Sequence, residues 1–193
     1  NQQFFSRDTD PPGPRSLHRR MPIMGAVGVR ETGTDTDLFR KLFPYDYAGG
    51  LYHSFQYGPV HVTVMDAQAD YSEGSRQHEW LVEDLTQATA PWKMVVYSGE
   101  EPLAGGRAGG ASAQRSLAPV LRDCGVDVVI DGGVNGYSLE RSRDVAYVGL
   151  GEEPVKGEPD RMYFGAITVK KEILRIEVHD DTGRSIDVVE LEK

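Results

Sequence analysis

Apolar positions along the chain fall into short runs separated by stretches rich in glycine, proline, threonine and acid, a pattern of many brief elements. Residues 21–29 form an apolar run of strand length, and the segment 31–37 after it has the Gly, Thr and Asp of a loop. Residues 38–47 read as a short helix and turn. Two runs rich in Tyr, Phe and Val, 51–57 and 60–66, flank Gly58-Pro59 and predict a β-hairpin whose hydrogen bonding Pro59 limits. Ser75 is placed to cap a helix reaching about Thr89, with Trp80, Leu81, Leu85 and Ala88 on one face and Arg76, Glu79, Glu83 and Gln87 mostly opposite. Residues 92–98 read as a buried strand, followed by a loop holding Gly99, Gly105, Gly106, Gly109 and Gly110. Ser116 caps a second predicted helix in which Leu117, Val120, Leu121 and Cys124 recur at helical spacing, Pro119 sits in the tolerant first turn and Gly125 ends the run. With 126–130 as a further strand, the middle of the chain alternates strand and helix, as a layered α/β fold does. From residue 144 only strands are predicted, at 144–150, 163–169, 173–179 and 186–191, the last two joined across Asp181-Thr182-Gly183-Arg184.

Composition narrows the class. The chain has 193 residues, enough for one core, so residues 21–193 are expected to form a single domain behind an irregular, proline-rich lead-in at 1–20. Its 21 basic and 30 acidic residues leave a net charge of −9, and Arg15, Arg19 and Arg20 form the one basic cluster, which argues against nucleic acid as a partner. No apolar run approaches the roughly 18 residues of a membrane span. The single cysteine, Cys124, excludes an intrachain disulfide and a cysteine-rich zinc site, and its place on an apolar helix face makes it a small core residue. The first residue is Asn1 rather than Met, as in a processed product or a numbered fragment.

Several phrases recur in a telling order: Met21-Pro22 leading to Gly28-Val29-Arg30-Glu31, then Val64-Met65-Asp66, Gln77-His78-Glu79-Trp80-Leu81, the run 95–102, Gly125-Val126-Asp127, and Gly132-Gly133-Val134-Asn135-Gly136-Tyr137. From about residue 20 to the end, this order resembles the calcineurin-like metallophosphoesterases, especially their purple acid phosphatase-like branch. The resemblance implies an α/β fold, a layered β-sandwich flanked by helices, but without the family's N-terminal β-α-β unit. It also implies a dinuclear metal centre, two ions about 3.5 to 4 Å apart that clamp a phosphate and activate a hydroxide. The family's ligand and catalytic positions fall on Val29, Arg30, Gly99, Glu100, Gly133 and Asn135, where it carries Asn and His. Every one has changed, and of these Asn135 alone offers a weak ligand. The family's upstream Asp-x-His and Gly-Asp strands have no counterpart, and Asp8-Thr9-Asp10 does not replace them.

The expectation is therefore a pseudo-phosphatase without metal cofactor, serving structure, assembly or binding. The contrasting expectation is a phosphoesterase whose site is relocated onto Asp66, Asp131, Asn135, Glu31, Glu100, Glu101 and His53, or completed by another chain. His53 and His61 fall on opposite hairpin faces in the simplest register and do not make a pair. Arg30 is the candidate for an anion pocket with the glycine-rich loop, whereas Asp35 and Asp37 read as solvated loop acids. Two consequences follow from the resemblance. Strands 94–97 and 126–130 would lack their upstream neighbours, so a partner chain or self-assembly is expected to cover the vacant sheet region, and the chain is not expected to be a stable monomer. Restoring the donors at Val29, Arg30, Gly99, Gly133 and Asn135 is expected to recover metal binding. The family's frequent export implies a periplasmic or extracellular location.

Overall fold

The computed structural model describes residues 23–28, 34–99, 117–157 and 160–193. Helices α1 (Thr34–Leu42), α2 (Arg76–Gln87) and α3 (Ala118–Asp123) accompany strands β1 (His53–Tyr57), β2 (Val60–Val64), β3 (Trp92–Tyr97), β4 (Val128–Asp131), β5 (Tyr137–Ser142), β6 (Val145–Leu150), β7 (Glu152–Glu153), β8 (Arg161–Lys170), β9 (Ile173–Asp180) and β10 (Ser185–Glu192). One sheet has the order β1-β2-β3-β4-β6-β5 and the other β10-β9-β8-β7.

Local chemistry sets the elements. Tyr57 pairs with Val60 across the hairpin, and Gly58 supplies the positive φ of +56° that the first central position of a tight hairpin turn demands. Ser75 caps α2 by accepting the His78 amide, as its sequence predicts. Past α3, Gly125 takes φ +71°, and the amides of Gly125 and Val126 bond back to Arg122 and Leu121, closing the helix with the paired return bonds of a Schellman ending.

Strands β2, β3, β4 and β6 run parallel, and both faces of this ribbon are covered. On one face Val95, Tyr97 and Val129 meet Leu81, Leu85 and Leu121 from the helices and Leu117 just before α3. On the other, Met94, Val128, Ala146 and Val148 meet Leu174, Ile176, Val178 and Val189 of the second sheet. Period-two alternation along β3 thus feeds two separate cores.

Several expectations change. Residues 23–28 form no strand: Val27 is buried by packing, and the Tyr45 hydroxyl holds the segment by donating to the Ile23 carbonyl (2.8 Å) and accepting the Gly25 amide (3.0 Å). The expected loop runs partly into α1, which begins at Thr34, because Thr and Asp suit a helix start as well as a loop. Helix α3 begins behind Leu117, with no side-chain cap. Strands β5 and β7 escaped the hydrophobic pattern because β5 is an edge strand exposed along nearly its whole length and β7 has two residues. The expected vacancy beside the interior strands is absent, since β3 and β4 are flanked by β2 and β6. The lead-in and Ser116 lie outside the described residues.

The hairpin register separates the two histidines as expected. His61 turns toward α2, where Asp84 gathers Ser54 Oγ (2.5 Å), His61 Nε2 (2.9 Å) and Thr63 Oγ1 (2.7 Å). His53 faces the other way, 2% exposed, with its ring 4.4 Å from that of Tyr45 and edge-on to Tyr47. Neither of its ring nitrogens has a hydrogen-bond partner, which is costly for a buried polar group. Burial pushes the imidazole below its ordinary value of 6.5, offset only in part by the nearby Leu51 backbone, which lies outside hydrogen-bond geometry. The folded chain therefore refuses a proton that the unfolded chain accepts, so stability is full above about pH 6.5 and falls as the pH drops below it. Urea unfolding at about pH 7.5 and pH 5 checks this: His53→Phe is expected to lose less stability on acidification than the parent chain.

Candidate functional site

In open α/β sheets ligands gather at the carboxyl ends of parallel strands, so the ends of β2, β3, β4 and β6 are the natural place for chemistry. Asp66 follows β2 there, Gly99 follows β3, Asp131 ends β4, and Gly151 follows β6. Asp66 is 6% exposed and its carboxylate is already engaged: Oδ2 accepts the Leu51 amide at 2.9 Å, and Oδ1 accepts those of Gln68 (2.9 Å) and Ala69 (3.3 Å). Gln77 brackets the same residue, its Oε1 accepting the Asp66 amide and its Nε2 donating to the Asp66 carbonyl. This buried glutamine shares the helix face of Leu81 and Leu85, the one sign in the sequence of its inward role.

Asp131 is 7% exposed and accepts the Gly133 amide at 2.8 Å. Burial pushes its carboxyl up to about 6, with the Gly133 N–H drawing it part of the way back. The folded chain binds this proton more tightly than the unfolded chain does, so the associated stability is fully present below about pH 4 and is lost as the pH rises through about 6.

Between these two carboxylates the backbone closes. A Cβ on Gly133 would stand 1.7 Å from the Gly99 carbonyl oxygen, and one on Gly151 would stand 1.6 Å from that of Val134. A Cβ on Gly99 would lie 1.8 Å from the Tyr97 hydroxyl, which itself sits 3.3 Å from the hydroxyl of Tyr71. The turn 132–136 is laced down further by Gly132 to Tyr97, Gly136 to Glu152 and Gly151 to Gly136 backbone bonds. Gly99 and Gly133 are thus brought together as bare backbone, while Asn135 is exposed and bridges to Glu152. Sequence reasoning missed the two tyrosines, since nothing in a Tyr codes for folding back under a glycine.

Val29, Arg30, Glu31, Glu100 and Glu101 lie outside the described residues. His53 is near this end of the sheet but shut in its aromatic box. Among the described residues no three of His, Cys, Asp or Glu come close enough together to hold a metal ion. A dinuclear centre of the kind the resemblance implies does not fit the described positions, because the two glycines offer neither donor nor space. The back-substitutions expected to restore metal binding meet a steric obstacle here: a side chain at Gly133 would run into the Gly99 backbone, and one at Gly99 would have to displace the Tyr97 ring.

The two sheets and the helices that cover one of them define a layered α/β sandwich. No protein-family model matches the chain. It is 30% identical to purple acid phosphatase 18 of Arabidopsis thaliana over 125 residues, which are 55% of this chain and 26% of that enzyme. It is 29% identical to purple acid phosphatase 15 of the same plant over 147 residues, 67% of this chain and 27% of that enzyme. The chain therefore spans about a quarter of the length of these relatives. In structure it is similar to the purple acid phosphatase PPD1 of yellow lupin, with TM-score 0.60, 14% identity and coverage of 77% of this chain and 34% of that one. It is also similar to GAP50 of Plasmodium, described as the anchor in the inner membrane complex, with TM-score 0.53, 18% identity and coverage of 73% and 53%. These likenesses relate the chain, over part of the enzymes' length, to the calcineurin-like metallophosphoesterases through their purple acid phosphatase branch.

Two expectations follow from the geometry. Gly133→Ala is expected to cost about 1–3 kcal/mol by overpacking, while Gly132→Ala, whose Cβ would meet nothing nearer than 3.6 Å, stays within about 0.5 kcal/mol of the parent; urea midpoints compare them. Asp131→Asn is expected to be more stable than the parent at about pH 7.5 and equal to it near pH 4, read by thermal unfolding across that range.

Proposed function

We propose that the chain is a catalytically inactive relative of the metallophosphoesterases whose role is assembly or binding. The observation that carries this reading is the contact of Gly99 with Gly133, backbone on backbone, where the resemblance would set metal-ligating histidines. The two nearby carboxylates support it, since Asp66 is committed to backbone amides and burial holds Asp131 toward its neutral form. Both arrangements favour a closed framework over a cation site. The Plasmodium neighbour, described as an anchor, is a similar fold named for an assembly role rather than for catalysis. An exported location accords with the same reading.

The competing reading is a phosphoesterase whose site is relocated or completed by another chain, which the phosphatase relatives keep in view. Elemental analysis of the purified chain, joined to turnover of a generic aryl phosphate with added Mn²⁺, Zn²⁺ or Fe, separates the two. Substoichiometric metal and no turnover above buffer are expected. Roughly stoichiometric metal with turnover would overturn the inactive reading.

A further inference from the structure

An open strand edge lies in the second sheet, away from the site. Strand β8 has ten residues, but β7 pairs only with Arg161 and Met162, so from Phe164 onward no strand among the described residues lies on that side of it. Other edges are guarded. Beside β10, Arg141 donates to the Glu190 carbonyl at 3.2 Å and Tyr137 bonds Asp187 at 2.6 Å, and β5 carries Glu140 and Arg141. Against β1 the rings of Tyr45 and Tyr47 pack on His53.

Among the described residues nothing comparable guards β8. Its run Phe164-Gly165-Ala166-Ile167-Thr168-Val169 holds no charge, no proline and mostly strand-forming residues, the composition that natural edges avoid unless something covers them. Met162 is 57% exposed and Phe164 50%. Charge then limits what the cover can be. Between Arg161 and Lys171 there is no acid, in a chain of net charge −9; Arg161 already pairs with Glu153 of β7 (3.8 Å), so Lys170 and Lys171 make the far end of this edge basic on an acidic protein. A second copy is a poor fit: antiparallel pairing of two β8 strands centred on Ala166 sets Arg161 against Lys171, and parallel pairing sets like residues against each other.

We propose that the open edge of β8 takes up an extended acidic segment of a partner chain by strand addition. The incoming backbone completes the ladder from Phe164 to Lys170, its apolar side chains lie beside Met162 and Phe164, and its carboxylates meet Lys170 and Lys171. This deepens the binding role proposed above and rests on it.

The test uses the folded full chain and a fluorescent octapeptide of sequence TEVTVEVE, which copies no strand of this chain, with a control in which the three acids are lysines, read by anisotropy at low and moderate salt. The acidic peptide is expected to bind at least tenfold more tightly than the control and to weaken with salt. Lys170→Glu with Lys171→Glu is expected to reduce its affinity at least tenfold, and Phe164→Ser about threefold. No binding, equal binding of the two peptides, indifference to the lysine reversal, or a dimer in light scattering that the lysine reversal alters would each overturn the proposal. Metal content and phosphatase turnover are measured on the same sample. A failed peptide without turnover rejects this edge and leaves the inactive reading standing, whereas turnover rejects that reading whatever the peptide does.

Discussion

Four neighbouring strands in this chain run parallel, and a parallel ribbon has to be covered on both faces, because its strands are apolar on both. The two cores answer that requirement by different means. On one side α2, α3 and the residue before α3 contribute Leu81, Leu85, Leu121 and Leu117, and on the other a second sheet contributes Leu174, Ile176 and Val178. Fully burying one such side chain contributes about 1.5–3 kcal/mol, so neither layer is dispensable to a domain held together by about 5–15 kcal/mol. The crossovers that make the strands parallel also bring their carboxyl ends to one rim, the place where open α/β sheets gather ligands.

At that rim the chain has turned inward. Its glycines bring backbone to backbone, its tyrosines fill the remaining depth, and one carboxylate is satisfied by three amides. Each of these raises the local order of the loops without presenting a group to solvent. Contacts of this kind stiffen the scaffold at the strand ends. Among the described residues the second sheet carries most of the exposed large apolar side chains, including Met162, Phe164 and Val188.

Much of the fold was legible in the sequence where burial writes a clean period. The hairpin, α2, β3, α3, β4, β6 and the final strands all show it, and Ser75 and Gly125 mark helix ends by chemistry that needs no tertiary context. What escaped lacked such a signature: β5 is exposed, β7 is held by two pairs, and 23–28 is buried without joining a ladder. At the site the sequence showed that glycines stand at 99 and 133, but not that the two touch, because contact between distant backbones leaves no trace in local pattern. The open edge moved for a similar reason. Strand order depends on how β2 and β6 flank the interior pair, and spacing along the chain does not encode that.

The two tryptophans stand in different layers of this arrangement. Trp92, 1% exposed, lies in the core between the sheets with the Lys193 ammonium 4.8 Å over its ring, whereas Trp80 belongs to the helix layer and packs against Tyr52 at 4.7 Å. The chain thus carries its own pair of optical reporters, one for the contact of sheet with sheet and one for the contact of helix with sheet. Single-tryptophan versions would let fluorescence distinguish a molecule that melts as a whole from one whose layers part in sequence.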